Sequence, residues 1–195
     1  MVSVCADSIH HGRRVGVHVR RLGVRSRYSH GVGMPDVIAD LQDLLRARGA
    51  TVATAESLTG GQLAVRLTNL PGSSATYVGG AVTYATELKR SLLGVPREVI
   101  DTVGVVSAEC AEAMADGVRR LTGATYALAT TGVAGPEPQE GKPVGTVYLG
   151  IAAPGLTRAI GLRLAGSRSE IQSQTCDRVI AELVDVLRRE EPAVG

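Results

Sequence analysis

The run Thr54-Ala55-Glu56-Ser57-Leu58-Thr59-Gly60-Gly61 sets a serine between a short β-branched stretch (Thr51, Val52) and a helical pattern made by Leu63, Val65, Leu67 and Leu70. A serine at a strand-to-helix turn exposes its hydroxyl and sits beside unpaired backbone N–H groups. The chemistry open to it is attack on a carbonyl carbon, provided that a base takes the hydroxyl proton. Thr59, Gly60 and Gly61 are expected to offer N–H donors to the developing oxyanion, because glycine lets the backbone approach closely. The competing reading is that Ser57 only caps the following helix.

The base must be sought away from histidine. All four histidines (His10, His11, His18, His30) fall in the first thirty residues. Beyond Met34 the chain has two lysines, Lys89 and Lys142, against 13 arginines. Lysine can be driven to a neutral amine by burial, and arginine cannot. Lys89 lies among Tyr84, Leu88, Leu92 and Leu93. A place at a helix start would lower its pKa further through the positive end of the dipole; the alternative is an exposed surface lysine. Tyr84, which closes the preceding strand, is expected either to orient the amine through its phenol or to cover the core. Thr131-Gly132-Val133-Ala134-Gly135-Pro136 ends another strand. Ligands of open α/β sheets bind at the carboxyl ends of strands, so Ser57, Tyr84 and Thr131 are expected to meet in one crevice. Glu56 faces away from the serine by strand alternation and reads as structural, bonded to nearby backbone.

Composition narrows the class. The 195 residues are enough for one domain with a full core. With no Trp or Phe and five Tyr, that core is aliphatic and base-stacking platforms are excluded. The overall charge of +2 is uneven: residues 1–33 hold six Arg and one acid, and the rest holds 15 basic and 18 acidic residues. The folded part carries no nucleic-acid footprint. Three scattered cysteines (Cys5, Cys110, Cys176) read as reduced thiols of a cytoplasmic protein. No apolar run reaches membrane-spanning length, and no zinc, P-loop or dinucleotide motif occurs, so neither metal nor cofactor is expected.

Residues 1–33 read as a disordered extension ahead of a start at Met34; a basic nucleic-acid or lipid-binding arm and a transit peptide are the alternatives. Residues 34–195 read as one domain. Helices are predicted from Pro35 to Gly49 and over 60–70, 86–93, 96–100, 107–121 and 167–189. Strands are predicted over 51–56, 77–84 and 126–131, and 145–153 with 156–164 form a hairpin about Pro154-Gly155. Alternating strands and helices predict an α/β sheet covered on both faces, made mixed by the hairpin.

Four segments in order (AESLTGG, GGAVTYATELKRSLLGV, GVVSAECAEAMADGVRR and TTGVAGPEPQEGKPVGTVYLG) resemble the CinA C-terminal domain family, over about Asp36 to Leu187. The resemblance implies a three-layer α/β/α sandwich with a mixed, mostly parallel sheet. It also implies metal-free deamidation of nicotinamide mononucleotide to nicotinic acid mononucleotide and ammonia. By the family pattern Ser57 is the nucleophile, assisted by Tyr84 and Lys89, with Thr131 in the site. Thr59, Gly60, Gly61, Gly132, Gly135 and Arg168 correspond to substrate-binding positions. The partner implied is a small nucleotide, with no nucleic acid or membrane, and a homo-oligomer is suggested. One departure stands out. Family members commonly carry Gly-Asp-Arg and then a second arginine near the last helix. This chain has Gly166-Ser167-Arg168 and Gln172. That change makes a nucleotide-binding or regulatory protein without turnover the alternative function.

Overall fold

A computed structural model describes residues 34–190; the reading of residues 1–33 lies outside the described residues. The elements are α1 (Met34–Ala47), β1 (Val52–Glu56), α2 (Gln62–Thr68), β2 (Tyr77–Val82), α3 (Thr86–Ser91), α4 (Arg97–Thr102), α5 (Ala108–Thr122), β3 (Tyr126–Gly132), β4 (Thr146–Ala153), β5 (Leu156–Arg163) and α6 (Arg168–Arg189). A 3₁₀ turn over Ser73–Ala75 occupies the Pro-Gly-Ser-Ser segment. The predicted elements all form, most of them trimmed by one or two residues at their ends.

The sheet order is β2-β1-β3-β4-β5. β1 pairs in parallel with β2 and β3, and β4 is antiparallel to both β3 and β5. Four of the five strands therefore run one way, and the carboxyl ends of β1, β2 and β3 lie together at one edge of the layer. Ser57, Thr83 and Thr131 are delivered there.

Strand β3 sorts its residues by size. On β3, Tyr126 and Leu128 face a core shared with Leu41 and Leu45 of α1, Leu63 and Leu67 of α2, and Ile180 and Leu183 of α6. Ala127 and Ala129 face the other way, against Cys110, Met114 and Val118 of α5. The small face lets α5 lie close to the sheet. At Gly150 of β4 an added Cβ would stand 2.1 Å from the carbonyl oxygen of Ala111. Each fully buried Leu or Ile contributes roughly 1.5–3 kcal/mol, so the two apolar faces hold the strand ends in place without help from the cleft. Ser107 caps α5 by accepting from the Cys110 N–H, and Gly123 ends it with φ 69°. Among the described residues no helix is long and apolar enough to cross a membrane.

Candidate active site

Immediately after β1 the chain keeps its sheet bond for one more residue, the Ser57 N–H donating to the Thr130 carbonyl at 2.9 Å, and then turns. The turn is held from below by Glu56. Its buried carboxylate accepts from the N–H groups of Gly61 (2.9 Å), Leu63 (3.1 Å) and Ala64 (2.9 Å). Those are the orphan donors at the start of α2, whose N-cap residue, Gly61, has no capping side chain. Glu56 thus does the capping that Ser57 was expected to do under the competing reading, and the serine hydroxyl is left to face the opposite side.

Lys89 meets it there. The side chain is 1% exposed. Its Nζ donates to the Thr83 carbonyl at 2.6 Å and stands 3.1 Å from Ser57 Oγ, with the Tyr84 carbonyl at 3.4 Å. The surface-lysine alternative is therefore wrong. Burial pushes the amine below its ordinary value of 10.5, with Cys110 and then Glu140 acting in the opposite sense. Among the described residues no carboxylate forms an ion pair with it. The dipole argument fails. α3 has six residues, and Lys89 lies in its last turn rather than its first; desolvation lowers the pKa by itself.

Two further expectations need correction. The N–H groups of Gly60 and Gly61 are not available to an oxyanion: Gly60 donates to the Ser57 carbonyl at 3.2 Å and Gly61 to Glu56. The buried Thr59 hydroxyl is bonded to that of Thr130 at 2.7 Å. Thr59, Gly60 and Gly61 build the turn and do not line the cleft. In their place, the N–H group of Leu58, which lines the cleft, has no acceptor among the described residues. The second correction concerns Tyr84. It follows β2 by two residues and is 59% exposed, so it does not cover the core. Its phenol accepts from Arg168 at 2.8 Å, while its backbone carbonyl is the part that faces Lys89.

The cleft above the pair is open to solvent. Ser57, Tyr84, Lys89, Thr131, Gly132, Gly135 and Arg168 all line it. Thr131 is buried and donates to the Val105 carbonyl at 2.6 Å, which ties β3 to the segment entering α5. Arg168 bridges the rim, donating to the Gly135 carbonyl at 2.7 Å and to Tyr84. Sequence reasoning missed Val105, Val106, Glu137 and Gln139 on the wall, and the Thr83 carbonyl under Lys89. Glu137 and Gln139 lie between the strands predicted over 126–131 and 145–153, outside any periodic element. A backbone acceptor such as Thr83 leaves no side-chain signal.

The departures at the last helix have a structural account. Ser167 caps α6 and forms a capping box with Glu170, a role that Ser and Asp share. Gln172 donates to the Leu58 carbonyl at 2.7 Å and accepts from Gln62 at 3.0 Å, so it clamps the serine turn.

Known proteins are similar to this chain in sequence and in fold. The CinA C-terminal domain model matches residues 35–187. A CinA-like protein of Frankia casuarinae is 52% identical over 146 residues, 75% of this chain and 33% of that protein. One of Myxococcus xanthus is 45% identical over 146 residues, 73% of this chain and 34% of that protein. The chain thus spans about a third of the length of these curated relatives. The crystal structure of a competence damage-inducible protein A from Klebsiella pneumoniae superposes with a TM-score of 0.79 at 34% identity, covering 82% of this chain and all of that one. A competence/damage inducible protein from Agrobacterium tumefaciens gives 0.73 at 35% identity over 83% of this chain and 99% of that one. The chain belongs to the CinA C-terminal domain family.

Proposed function

We propose that this domain is an amidohydrolase that converts nicotinamide mononucleotide to nicotinic acid mononucleotide and ammonia through a Ser57–Lys89 pair. The observation that carries the chemistry is the 3.1 Å approach of a buried amine, without a carboxylate partner, to a serine hydroxyl on an open cleft. The family resemblance supplies the substrate. A neutral Lys89 has two N–H groups and one lone pair. The N–H groups suit the Thr83 and Tyr84 carbonyls, and the lone pair then points to the proton of Ser57.

On this reading Ser57 Oγ attacks the carboxamide carbon as Lys89 takes its proton. The N–H group of Leu58 is the donor left for the oxyanion, a contribution of about 10²–10³ in rate. Lys89 then protonates the departing ammonia. Water, deprotonated by the same amine, hydrolyses the ester and frees the acid. Arg168, on the rim, suits the phosphate of the mononucleotide.

A second reading rests on the same amine. An ammonium has three N–H groups, and Nζ has three oxygen acceptors; held in that state, the site would bind nucleotide without turnover. The missing carboxylate tips the balance, because a buried charge is ordinarily paired. Single-turnover incubation with the mononucleotide, followed by intact-mass analysis, separates the two. An acyl adduct that accumulates on wild type and is absent in Ser57→Ala is expected. Saturable binding with neither adduct nor ammonia overturns the enzyme.

A further inference from the structure

The loop after β3 folds back on itself in a two-residue hairpin. Gln139 and Lys142 exchange both backbone bonds, at 3.1 and 2.8 Å, around Glu140 and Gly141. Both central residues have positive φ, 50° and 69°, as a type I′ turn requires. Gly141 suits this. Glu140 does not: the first central position favours Asn, Asp or Gly, and a side chain such as Glu is disfavoured in the left-handed region. A residue that breaks the local rule persists when its surroundings over-determine it.

The surroundings here are the cleft wall. Glu140 Oε1 accepts from the Val105 N–H and Oε2 from the Val106 N–H, each at 3.1 Å. Both residues line the cleft beside Lys89. The fork needs close approach, and Gly104 (φ 80°) provides it: a Cβ there would sit 2.3 Å from Oε2. Lys142 binds the same place, with Nζ 3.0 Å from the Val103 carbonyl and 3.8 Å from Oε2. Val105 is thus gripped from both sides, its N–H by Glu140 and its carbonyl by Thr131. Asn, the residue the turn favours, is one methylene too short to make that fork.

We propose that Glu140 is a positioning residue of this site: its carboxylate fixes the Val105–Val106 wall against the Ser57–Lys89 pair and sets a negative charge near the amine. The inference rests on the amidohydrolase reading only for its kinetic arm. The groups whose charges act on Lys89 are the Cys110 thiol on α5 and Glu140. Burial pushes that thiol up to about 11, so near neutrality it carries no charge; the carboxylate of Glu137 and the guanidinium of Arg168 also line the cleft with Lys89 and are the same in every variant. Lys142, beside Glu140, weakens its field. Removing the carboxylate charge therefore moves the titration of Lys89 to lower pH.

The chain has two lysines, Lys89 and Lys142, so ¹³Cε-lysine labelling gives two side-chain signals, assigned by the loss of one in Lys89→Met. Wild type, Glu140→Gln and Glu140→Asn are titrated by NMR and assayed for ammonia release. Glu140→Gln keeps the length and loses the charge; Glu140→Asn fits the turn and loses the fork. The expected result is a Lys89 titration at lower pH in both variants, an acid limb of kcat/KM that moves with it, and about a 10- to 100-fold loss of kcat/KM in Glu140→Asn. An unmoved Lys89 titration overturns the electrostatic role, and an unchanged kcat/KM in Glu140→Asn overturns the positioning role. A wild type that releases no ammonia while its Lys89 titration still shifts on Glu140→Gln removes the amidohydrolase reading and leaves the charge assignment standing.

Discussion

Lys89 Nζ lies 2.6 Å from the Thr83 carbonyl and 3.1 Å from Ser57 Oγ, so one side chain joins the exits of two neighbouring parallel strands. This relationship fixes a sign for pH and stability. The folded-state pKa of Lys89 is below the unfolded value near 10.5. Between the two, the unfolded chain holds the proton that the folded chain has released, so stability rises with pH across that window. Below the folded pKa the amine is charged in both states and its burial cost is borne in full. The difference in unfolding free energy between wild type and Lys89→Met should therefore grow in favour of wild type as pH rises through the window, while the ionisation of Cys176 cancels in the difference. Urea unfolding of both proteins at several pH values up to 10 measures it, and a flat difference would mean that the amine is not desolvated.

Activity should follow the same proton. The base works only when neutral, so ammonia release is expected to rise with pH along an acid limb lying below 10.5 and to level off above it. Ser57→Ala and Lys89→Met should each lose about 10²–10⁴-fold or more in kcat, with little further loss when combined, because the two groups act as one unit. Additive losses in the double variant would argue that the pair is not coupled.

How much of this could be read from the chain itself depended on where each property is encoded. The helix from Pro35 and the strand over 126–131 were legible because burial follows period and apolar runs. The opposed directions of Glu56 and Ser57 were legible for the same reason. The carboxylate's capture of the Gly61 N–H was not, because it spans five residues and a turn whose shape no residue type dictates. Lys89 was found by rarity, and the start of its helix at Thr86 was placed correctly; the helix ends two residues sooner than predicted, at Ser91, which puts the lysine in the last turn. The capping box at Ser167 was there to be seen in the Ser-x-x-Glu spacing of Ser167 and Glu170. It was overlooked because attention fell on the acid missing at that position. Glu140 lies between two predicted strands, where no period marks a role for it.

Thr131 offers a test of scaffold against chemistry. Its hydroxyl donates to the Val105 carbonyl at 2.6 Å, and the residue is 1% exposed. Thr131→Val keeps the shape and leaves that carbonyl without its donor, at a cost of about 1–3 kcal/mol. Thr131→Ser keeps the donor. We expect Thr131→Val to lower Tm and kcat together, and Thr131→Ser to keep both close to wild type. A Thr131→Val protein with normal Tm and abolished turnover would instead place the hydroxyl in the chemistry.

At the last helix, Ser167→Ala removes the capping box and should cost about 0.5–2 kcal/mol, whereas Ser167→Asp should stay within about 0.5 kcal/mol of wild type. Because the cap holds the first turn that carries Arg168, Ser167→Ala is also expected to raise KM more than it lowers kcat. If Ser167→Asp instead improves binding of the mononucleotide at equal stability, the acid at this position does more than cap.

A close helix-to-sheet approach at Gly150 gives a clear stability test. Gly150 packs against α5 where the alanine-lined face of the sheet meets the helix backbone, and a Cβ would stand 2.1 Å from the Ala111 carbonyl oxygen and 2.6 Å from its carbon. Backbone cannot yield as a flexible side chain can, so Gly150→Ala must push α5 away from β3 and β4. Such overpacking costs about 1–3 kcal/mol, and sometimes more. α5 also carries Ser107 at its cap and Cys110 near Lys89, so the displacement reaches the Val105–Val106 wall. The expected outcome is a lower Tm together with reduced turnover. Gly155→Ala, at the exposed tip of the hairpin with nothing within 4 Å of its Cβ, should lose some stability from its φ of 74° and leave turnover intact. Equal turnover in the two variants would show that the cleft does not depend on the seat of α5.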